Sequence, residues 1–215
     1  MICLGMHTLG PDVPLPSYGT DYSTCFDLIF YPTQRIVNGY SRSNEQIERF
    51  VAEKGEILIS PGDRLLLPTG LVMQLEAKVT IEDFADITAY SKDVKLQNYS
   101  IRLHARSGLA LKRGLVLANA EGVVDADYQH EVFVMMTNIS DVGAVIKTGD
   151  RIAQGEVVSN VPAKLVKLEE FPKPLGNRTG GFGSTGLQIP TQKYELSYET
   201  PPMEEWKVDG PTNFG

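Results

Sequence analysis

The sequence has few of the residues that hold metal ions, form disulfides or bind nucleic acids. Two cysteines, Cys3 and Cys25, lie far apart without metal-ligand spacing, and there are three histidines among 215 residues. These counts favour neither a disulfide framework nor a zinc site, and they suit a reducing compartment. Acidic residues outnumber basic ones, 27 against 20, for a net charge of −7. A nucleic-acid-binding surface is not expected, because clustered Lys and Arg hold phosphate backbones.

Long hydrophobic runs are also missing. The longest apolar stretches are far shorter than the roughly 20 residues of a membrane span, and no basic segment followed by an apolar run opens the chain. We therefore predict no membrane anchor and a cytoplasmic location, in the cell or in an infected host cell. Apolar residues make up 42% and charged residues 22% of the chain, an ordinary globular composition with enough apolar material for a sizeable core.

Most of the secondary-structure patterns in the sequence are typical of β-strands. Turn residues interrupt them at short intervals, at 61–63, 68–70, 121–122 and 148–150. This spacing predicts an all-β fold, an antiparallel sandwich or barrel. The predicted strands are 56–60, 65–67, 71–75, 99–103, 115–118, 131–139 and 152–158.

One segment has a helical pattern instead. In SNEQIERFVAEKG, residues 43–55, Ser43 stands as N-cap with Gln46 at capping-box distance, an apolar stripe includes Ile47, and Gly55 follows as a stop. This pattern predicts an amphipathic helix of about three turns. A second segment, 78–98, leaves helix and strand open.

The segment GVVDADYQHE, residues 122–131, combines two acids with an aromatic residue in a hairpin-like setting. Asp125 and Asp127 are two residues apart and so point to one face of an extended chain. The apolar run 132–136 that follows has apolar residues on both alternating faces, which predicts a strand buried on both sides. Taken alone, the paired acids also fit a surface turn with Asx hydrogen bonds.

Together with four other motifs, this segment resembles the homotrimeric dUTP pyrophosphatases (dUTPases). The motifs are TCFDL at 24–28, ARSGLA at 105–110, NAEGVVDADY at 119–128, GDRIAQ at 149–154 and RTGGFGSTG at 178–186. Five motifs in order are far more specific than one glycine-rich loop. The first motif departs most from the family, because Cys25 and Phe26 stand where Ala-Gly is usual.

The resemblance implies a distorted jelly roll or β-barrel over residues 1–177, with insertions at about 33–56 and 78–98. A glycine-rich arm and a tail follow at 178–215. It also implies a homotrimer whose active sites are shared between subunits. The implied reaction is Mg²⁺-assisted hydrolysis of dUTP to dUMP and pyrophosphate, which limits uracil incorporation into DNA and supplies dUMP for dTMP synthesis.

The resemblance assigns roles residue by residue. Asp125 is the general base for the attacking water, and Asp27 orders the water shell of an Mg²⁺ that rides on the phosphates. Arg151 is interpreted as an ion-pair partner, whereas Tyr128 packs against deoxyribose and Phe182 stacks on the base. The residues assigned to substrate binding are Arg106, Ser107, Gly108, Asn119, Gly122, Val124, Tyr128, Gln154, Arg178, Phe182, Gly183, Ser184 and Thr185.

Two alternatives remain at this stage. A dCTP deaminase shares the fold but differs after the second-motif arginine, and a regulatory protein could use the scaffold with nucleotide as a switch. A zinc deaminase is excluded, because the sequence has no His/Cys cluster to hold the metal.

Overall fold

The structure is a computed structural model that describes residues 3–76, 98–173 and 176. Within these residues the chain forms twelve β-strands and one short helix, which confirms the all-β prediction. The chain divides into two compact units, 1–164 and 165–215, and every described strand lies in the first. The elements are β1 Cys3–Thr8, β2 Phe26–Ile29, β3 Ile36–Tyr40, β4 Gln46–Phe50, β5 Glu56–Ile59, β6 Arg64–Glu76, β7 Tyr99–His104, α1 Ser107–Arg113, β8 Leu115–Leu117, β9 Gly122–Asp125, β10 Glu131–Asn138, β11 Ala144–Lys147 and β12 Arg151–Ser159.

The strands form three antiparallel sheets, which in the described part of the chain are not closed into one barrel. Six strands form the first sheet, in the order β4-β3-β6-β10-β8 with β1 also on β6. The second contains β11 and β5, and the third has the order β2-β12-β7-β9. Their inner faces share one apolar core, whose fully buried members include Leu28, Ile59, Leu67, Val134 and Ile152.

The strands predicted at 65–67 and 71–75 are one long strand, β6, and the turn predicted between them is wrong. Gly70 has a positive φ of 71°, yet the chain continues in register with β1 beyond it. Around Gly70, hydrogen bonds that involve side chains take the place of regular backbone pairing. Glu131 Oε1 accepts a hydrogen bond from Gly70 N at 2.8 Å, and Thr69 Oγ1 donates one to Val132 O at 2.7 Å.

The helix predicted at 43–55 is also wrong, because this segment contains the turn and second strand of a β3–β4 hairpin. The hairpin turns at Asn44, which has a positive φ of 63°. Helical spacing would put Ile47 and Phe50 on one face, but in the strand they lie on opposite faces and Phe50 is exposed. Arg49 fixes the register through a 2.6 Å ion pair with the buried Asp63.

Strand β10 is buried on one face only in the described chain, contrary to the prediction for 132–136. Val132, Val134 and Met136 are buried, whereas Phe133 and Met135 are each 39% exposed. Strand periodicity explains the difference, since alternate residues face opposite sides of the sheet. The outer face thus carries apolar side chains next to the pocket described below.

Replacing Gly39 by alanine should destabilise the hairpin. A Cβ at Gly39 would lie 2.2 Å from the backbone oxygen of Arg64, so β3 must move away from β6. We expect a loss of about 1–3 kcal/mol, typical of overpacking, measured by urea unfolding. Gly108→Ala is the control for stability, because nothing lies within 4 Å of its added Cβ. Equal unfolding midpoints for the two variants would contradict the close approach of β3 and β6.

Candidate functional site

A pocket of about 300 Å³ opens between the four-stranded and six-stranded sheets. Its volume is at the lower end of small-ligand sites. Four residues predicted to contact the base or sugar line it together: Asn119, Gly122, Val124 and Tyr128. Sequence reasoning missed the opposite wall, which includes Leu66, Phe133 and Met135. The apolar outer positions of β10 were the signal that could have found it.

Strand β9 forms the polar side of this pocket. It is an edge strand that pairs only with β7 among the described residues. An edge strand presents unpaired N–H and C=O groups to whatever lies beside it. Asn119, in the turn before β9, is exposed, and its side-chain amide has no hydrogen-bond partner in the described part of the chain. This arrangement offers backbone and amide groups for reading the edge of a planar base.

Asp125 is the last residue of β9 and points to the outer face of its sheet. Its side chain is exposed, and its carboxylate makes no hydrogen bond or ion pair with the other described residues. Its backbone carbonyl accepts a hydrogen bond from Tyr128 N at 3.1 Å. This turn brings the Tyr128 ring to the pocket, where its hydroxyl donates to Glu131 O at 2.9 Å. The His130 ring packs edge-on against Tyr128, with centroids 5.6 Å apart.

Arg106, a predicted phosphate contact, forms a charged cluster with Asp27 and Arg151, which is called the phosphate cluster below. Arg106 Nε and Arg151 Nη1 each lie 3.0 Å from a different carboxylate oxygen of Asp27. Arg106 Nη1 also donates a hydrogen bond to Arg151 O at 3.0 Å. Two guanidinium groups beside one carboxylate leave an excess of one positive charge. The contacts of Arg106 with Asp27 and with the backbone oxygen of Arg151 hold the plane of its guanidinium group in a fixed orientation. Planar guanidinium groups suit phosphate oxygens.

Gln154 stands directly beside this cluster. Its Cα is paired with that of Asp27 on β2 and with that of His104 on β7. Its side chain has no hydrogen-bond partner among the described residues. The predicted phosphate contacts Arg106 and Gln154 therefore both lie beside Asp27.

Ser107 and Gly108 begin helix α1, which the sequence analysis did not predict. The helix runs from Ser107 to Arg113 and ends at Gly114, whose φ is 61°. Good helix formers between these two ends are the signal that could have found it. Open space surrounds Gly108. A ligand can therefore approach this backbone closely.

Phe26, one of the two departures in the first motif, has a structural explanation, whereas nothing in the described part of the chain explains Cys25. The Phe26 ring occupies the space above Gly155, where an added Cβ would lie 2.7 Å from the ring. Burial, together with the charges of Glu156 and Asp27, raises the pKa of the Cys25 thiol. The thiol therefore stays protonated at neutral pH and is a poor nucleophile.

The predicted base-binding and phosphate-binding groups of one chain are separated along β7. Asp125 is paired with Ser100, and Gln154 with His104, four residues further along the strand. At about 3.3 Å per residue this corresponds to ~13 Å. The predicted general base Asp125 and the predicted phosphate contact Gln154 of one chain are therefore too far apart along the sheet to act together on one phosphate.

Five predicted residues, Arg178, Phe182, Gly183, Ser184 and Thr185, lie outside the described residues. So do the predicted division at 177/178, nearly all of the insertion at 78–98 and the tail after 186. Among the described residues, no group of three or more His, Cys, Asp or Glu side chains could hold a metal ion. The described helix is neither long nor apolar enough to cross a membrane.

Comparisons with known proteins agree with this geometry. A family model described as dUTPase matches residues 70–186, and the deoxyuridine 5'-triphosphate nucleotidohydrolase of Caulobacter vibrioides is 32% identical over 176 residues, 82% of this chain and 88% of that protein. The chain belongs to the dUTPase family. Its Brucella melitensis relative of the same name is 36% identical over 138 residues, 63% of this chain and 73% of the relative.

Solved dUTPases share the fold at low sequence identity. The Staphylococcus bacteriophage 80alpha dUTPase with dUPNHPP is 17% identical, with a TM-score of 0.59 over 86% of this chain and 99% of that chain. A mutant dUTPase from phage phi11 of S. aureus, described with a structural Mg(II) ion, is 16% identical, with a TM-score of 0.53 over 80% of this chain and 99% of that chain. These likenesses confirm the predicted fold class.

Proposed function

We propose that this family member hydrolyses dUTP to dUMP and pyrophosphate. The observation that carries the proposal is the pocket beside β9, where four predicted base and sugar contacts meet and where the lining residue Val124 directly precedes Asp125 in the strand. Family membership supports the same reaction. The product dUMP would supply dTMP synthesis, and removal of dUTP would limit uracil incorporation into DNA. The cytoplasmic location stays a prediction.

Base selectivity follows from the edge strand. Backbone groups of β9 and the Asn119 amide pair with uracil, while the Tyr128 ring packs against the deoxyribose. An added ribose hydroxyl would be crowded against this ring and would have no hydrogen-bond partner. Leaving a polar group without a partner is costly. UTP is therefore a poor substrate.

Asp125 orients the attacking water and takes its proton. A carboxylate without a competing partner can accept this proton as the water attacks the α-phosphate. Arg106, Ser107 and Gln154 bind the phosphates and hold them in line with the water. Such positioning contributes much of the rate of phosphoryl transfer. The arm residues Arg178 and Phe182 close over the nucleotide and exclude water.

A divalent cation would be held at this site mainly by the phosphates of the substrate. The described residues offer no metal cluster, and Asp27 already accepts from two arginines. A carboxylate nevertheless has about four lone-pair positions, so Asp27 can order water around an Mg²⁺ held by the phosphates. The ion, when bound, neutralises charge on the leaving pyrophosphate.

Each site combines groups from different subunits of a homotrimer. The ~13 Å between the Asp125 and Gln154 ends of β7 supports this sharing. A second chain must bring its phosphate cluster to the pocket of the first. The third chain supplies the arm that carries Arg178.

A substrate panel tests the proposal. The protein is incubated with dUTP, dTTP, dCTP or UTP in the presence of Mg²⁺, and products are separated by nucleotide chromatography. We expect dUMP and pyrophosphate from dUTP and much slower turnover of the other three. Deamination of dCTP would show the alternative enzyme of the same fold. Tight dUTP binding without any turnover would instead favour a nucleotide-switched regulatory protein.

A further inference from the structure

A network of charged side chains ties the turn between β8 and β9 to the four-stranded sheet. This turn, residues 118–121, is called the base-recognition turn below. Glu121 Oε2 accepts a hydrogen bond from Arg102 Nη1 at 3.1 Å, and Glu121 Oε1 lies 3.8 Å from His104 Nδ1. Both partners belong to β7, the strand next to β9.

The two partners of Glu121 are themselves held in place. His104 Nε2 lies 3.0 Å from Glu156 Oε1 on β12. Arg102 Nη2 donates to Asn160 Oδ1 at 3.4 Å, and Asn160 Nδ2 donates to the buried Ser100 at 3.0 Å. Glu121 is therefore bound to side chains of β7 that are themselves braced by β12 and the residue that follows it, rather than to mobile surface groups.

The base-recognition turn needs such an anchor. Ala120 has a positive φ of 62°, a conformation that residues other than glycine rarely adopt. Asn119 and Ala120 are exposed. Within the described part of the chain, Glu121 alone among residues 118–121 has a side chain that makes a hydrogen bond or ion pair.

We propose that Glu121, held by Arg102 and His104, is a positioning residue that sets the conformation of the base-recognition turn for uracil. The inference rests on the proposed function and deepens it. Glu121 acts through Asn119 and the β9 backbone, not on the reacting atoms. Loss of the Glu121 side chain lowers the fraction of chains whose base-recognition turn is ready to bind. The apparent affinity for dUTP falls in proportion to that fraction. The chemical step, at Asp125 on the paired strand β9, keeps its rate.

Steady-state kinetics of Glu121→Ala with dUTP and dTTP test the proposal. We expect KM for dUTP to rise about two- to fivefold, as the loss of a partly exposed ion pair allows, while kcat stays within about twofold. Because the ready turn favours uracil, KM for dTTP should rise less than KM for dUTP, and discrimination between the two should fall. Glu121→Gln, which can still accept from Arg102, should lie between wild type and Glu121→Ala. Equal unfolding midpoints in urea show that both variants are folded.

A double-mutant cycle separates positioning from general surface effects. Arg102→Ala should raise KM alone but add little in the Glu121→Ala background, because the two side chains act as one unit. Glu56→Ala is the matched control. It breaks another exposed ion pair, Glu56–Lys147 at 2.7 Å on the two-stranded sheet, and should leave KM unchanged.

The outcomes distinguish the inference from the proposed function. The inference alone is overturned if the wild-type protein hydrolyses dUTP but Glu121→Ala has an unchanged KM and an unchanged discrimination between dUTP and dTTP. Fully additive effects of Arg102→Ala and Glu121→Ala, or an equal change in Glu56→Ala, would also overturn it. A wild-type protein that does not turn over dUTP would overturn the proposed function and the inference with it.

Discussion

Asp125→Asn should bind dUTP nearly as well as the wild type but turn it over about two to four orders of magnitude more slowly. Asparagine keeps the size and most of the hydrogen bonding of the carboxylate but cannot accept the proton of the attacking water. Since Asp125 ends an exposed strand and has no ion-pair partner among the described residues, the fold should tolerate the change. Single-turnover kinetics and nucleotide binding measure the two effects separately.

Asp127→Asn is the matched control for this variant. Asp127 is also an exposed aspartate, two residues further along the same hairpin. The same loss of charge there should change kcat less than about threefold, because no proton transfer depends on it. If Asp125→Asn kept near-normal turnover, another group would have to activate the water. Equal losses in both variants would indicate an effect of hairpin charge instead of general base catalysis.

The sequence predicted groupings within one segment better than pairings between distant segments. Asn119, Gly122 and Tyr128 belong to one contiguous motif, so their grouping around one pocket required only a short hairpin. Family membership, the all-β class and five of the seven predicted strands follow from equally local patterns. In these cases the residues that decide the structure are near each other in the chain.

The hairpin at 36–50 was missed because its deciding contacts are not local. The same residues satisfy helical spacing and strand alternation, and pairing of β3 with β6 selects the strand. The buried partner of Arg49, Asp63, lies 14 residues away. Side-chain spacing within one segment carries no information about such a partner.

Long-range pairing also explains what sequence reasoning missed at the site. Arg151 is an ion-pair partner, as predicted, but its partner was not identified: Asp27 pairs with both Arg151 and Arg106 only when β2 and β12 are in register. The network of Glu121 with Arg102 and His104 likewise depends on the pairing of β7 with β9. Register is a property of the folded sheet, and a single sequence specifies it only through its hydrophobic pattern.

The second large effect is expected when two inactive variants are mixed. One variant is Asp125→Asn and the other is truncated before Arg178, so it lacks the arm. If each site takes Asp125 from one chain, the phosphate cluster from a second and the arm from a third, each variant is inactive as a pure trimer. Refolding equal amounts together should restore about a quarter of wild-type activity.

The expected recovery of about a quarter of wild-type activity follows only from the sharing of each site between subunits. Random assembly gives about three-quarters mixed trimers, and in a ring of three identical contacts each mixed trimer has one site with both an intact Asp125 and an intact arm. A site built within one chain predicts no recovery, whichever trimers form. Mass measurement of the refolded sample is the control, because recovery can be judged only where mixed trimers exist. If mixed trimers are present and the sample stays as inactive as its components, the arm and the base do not come from different subunits.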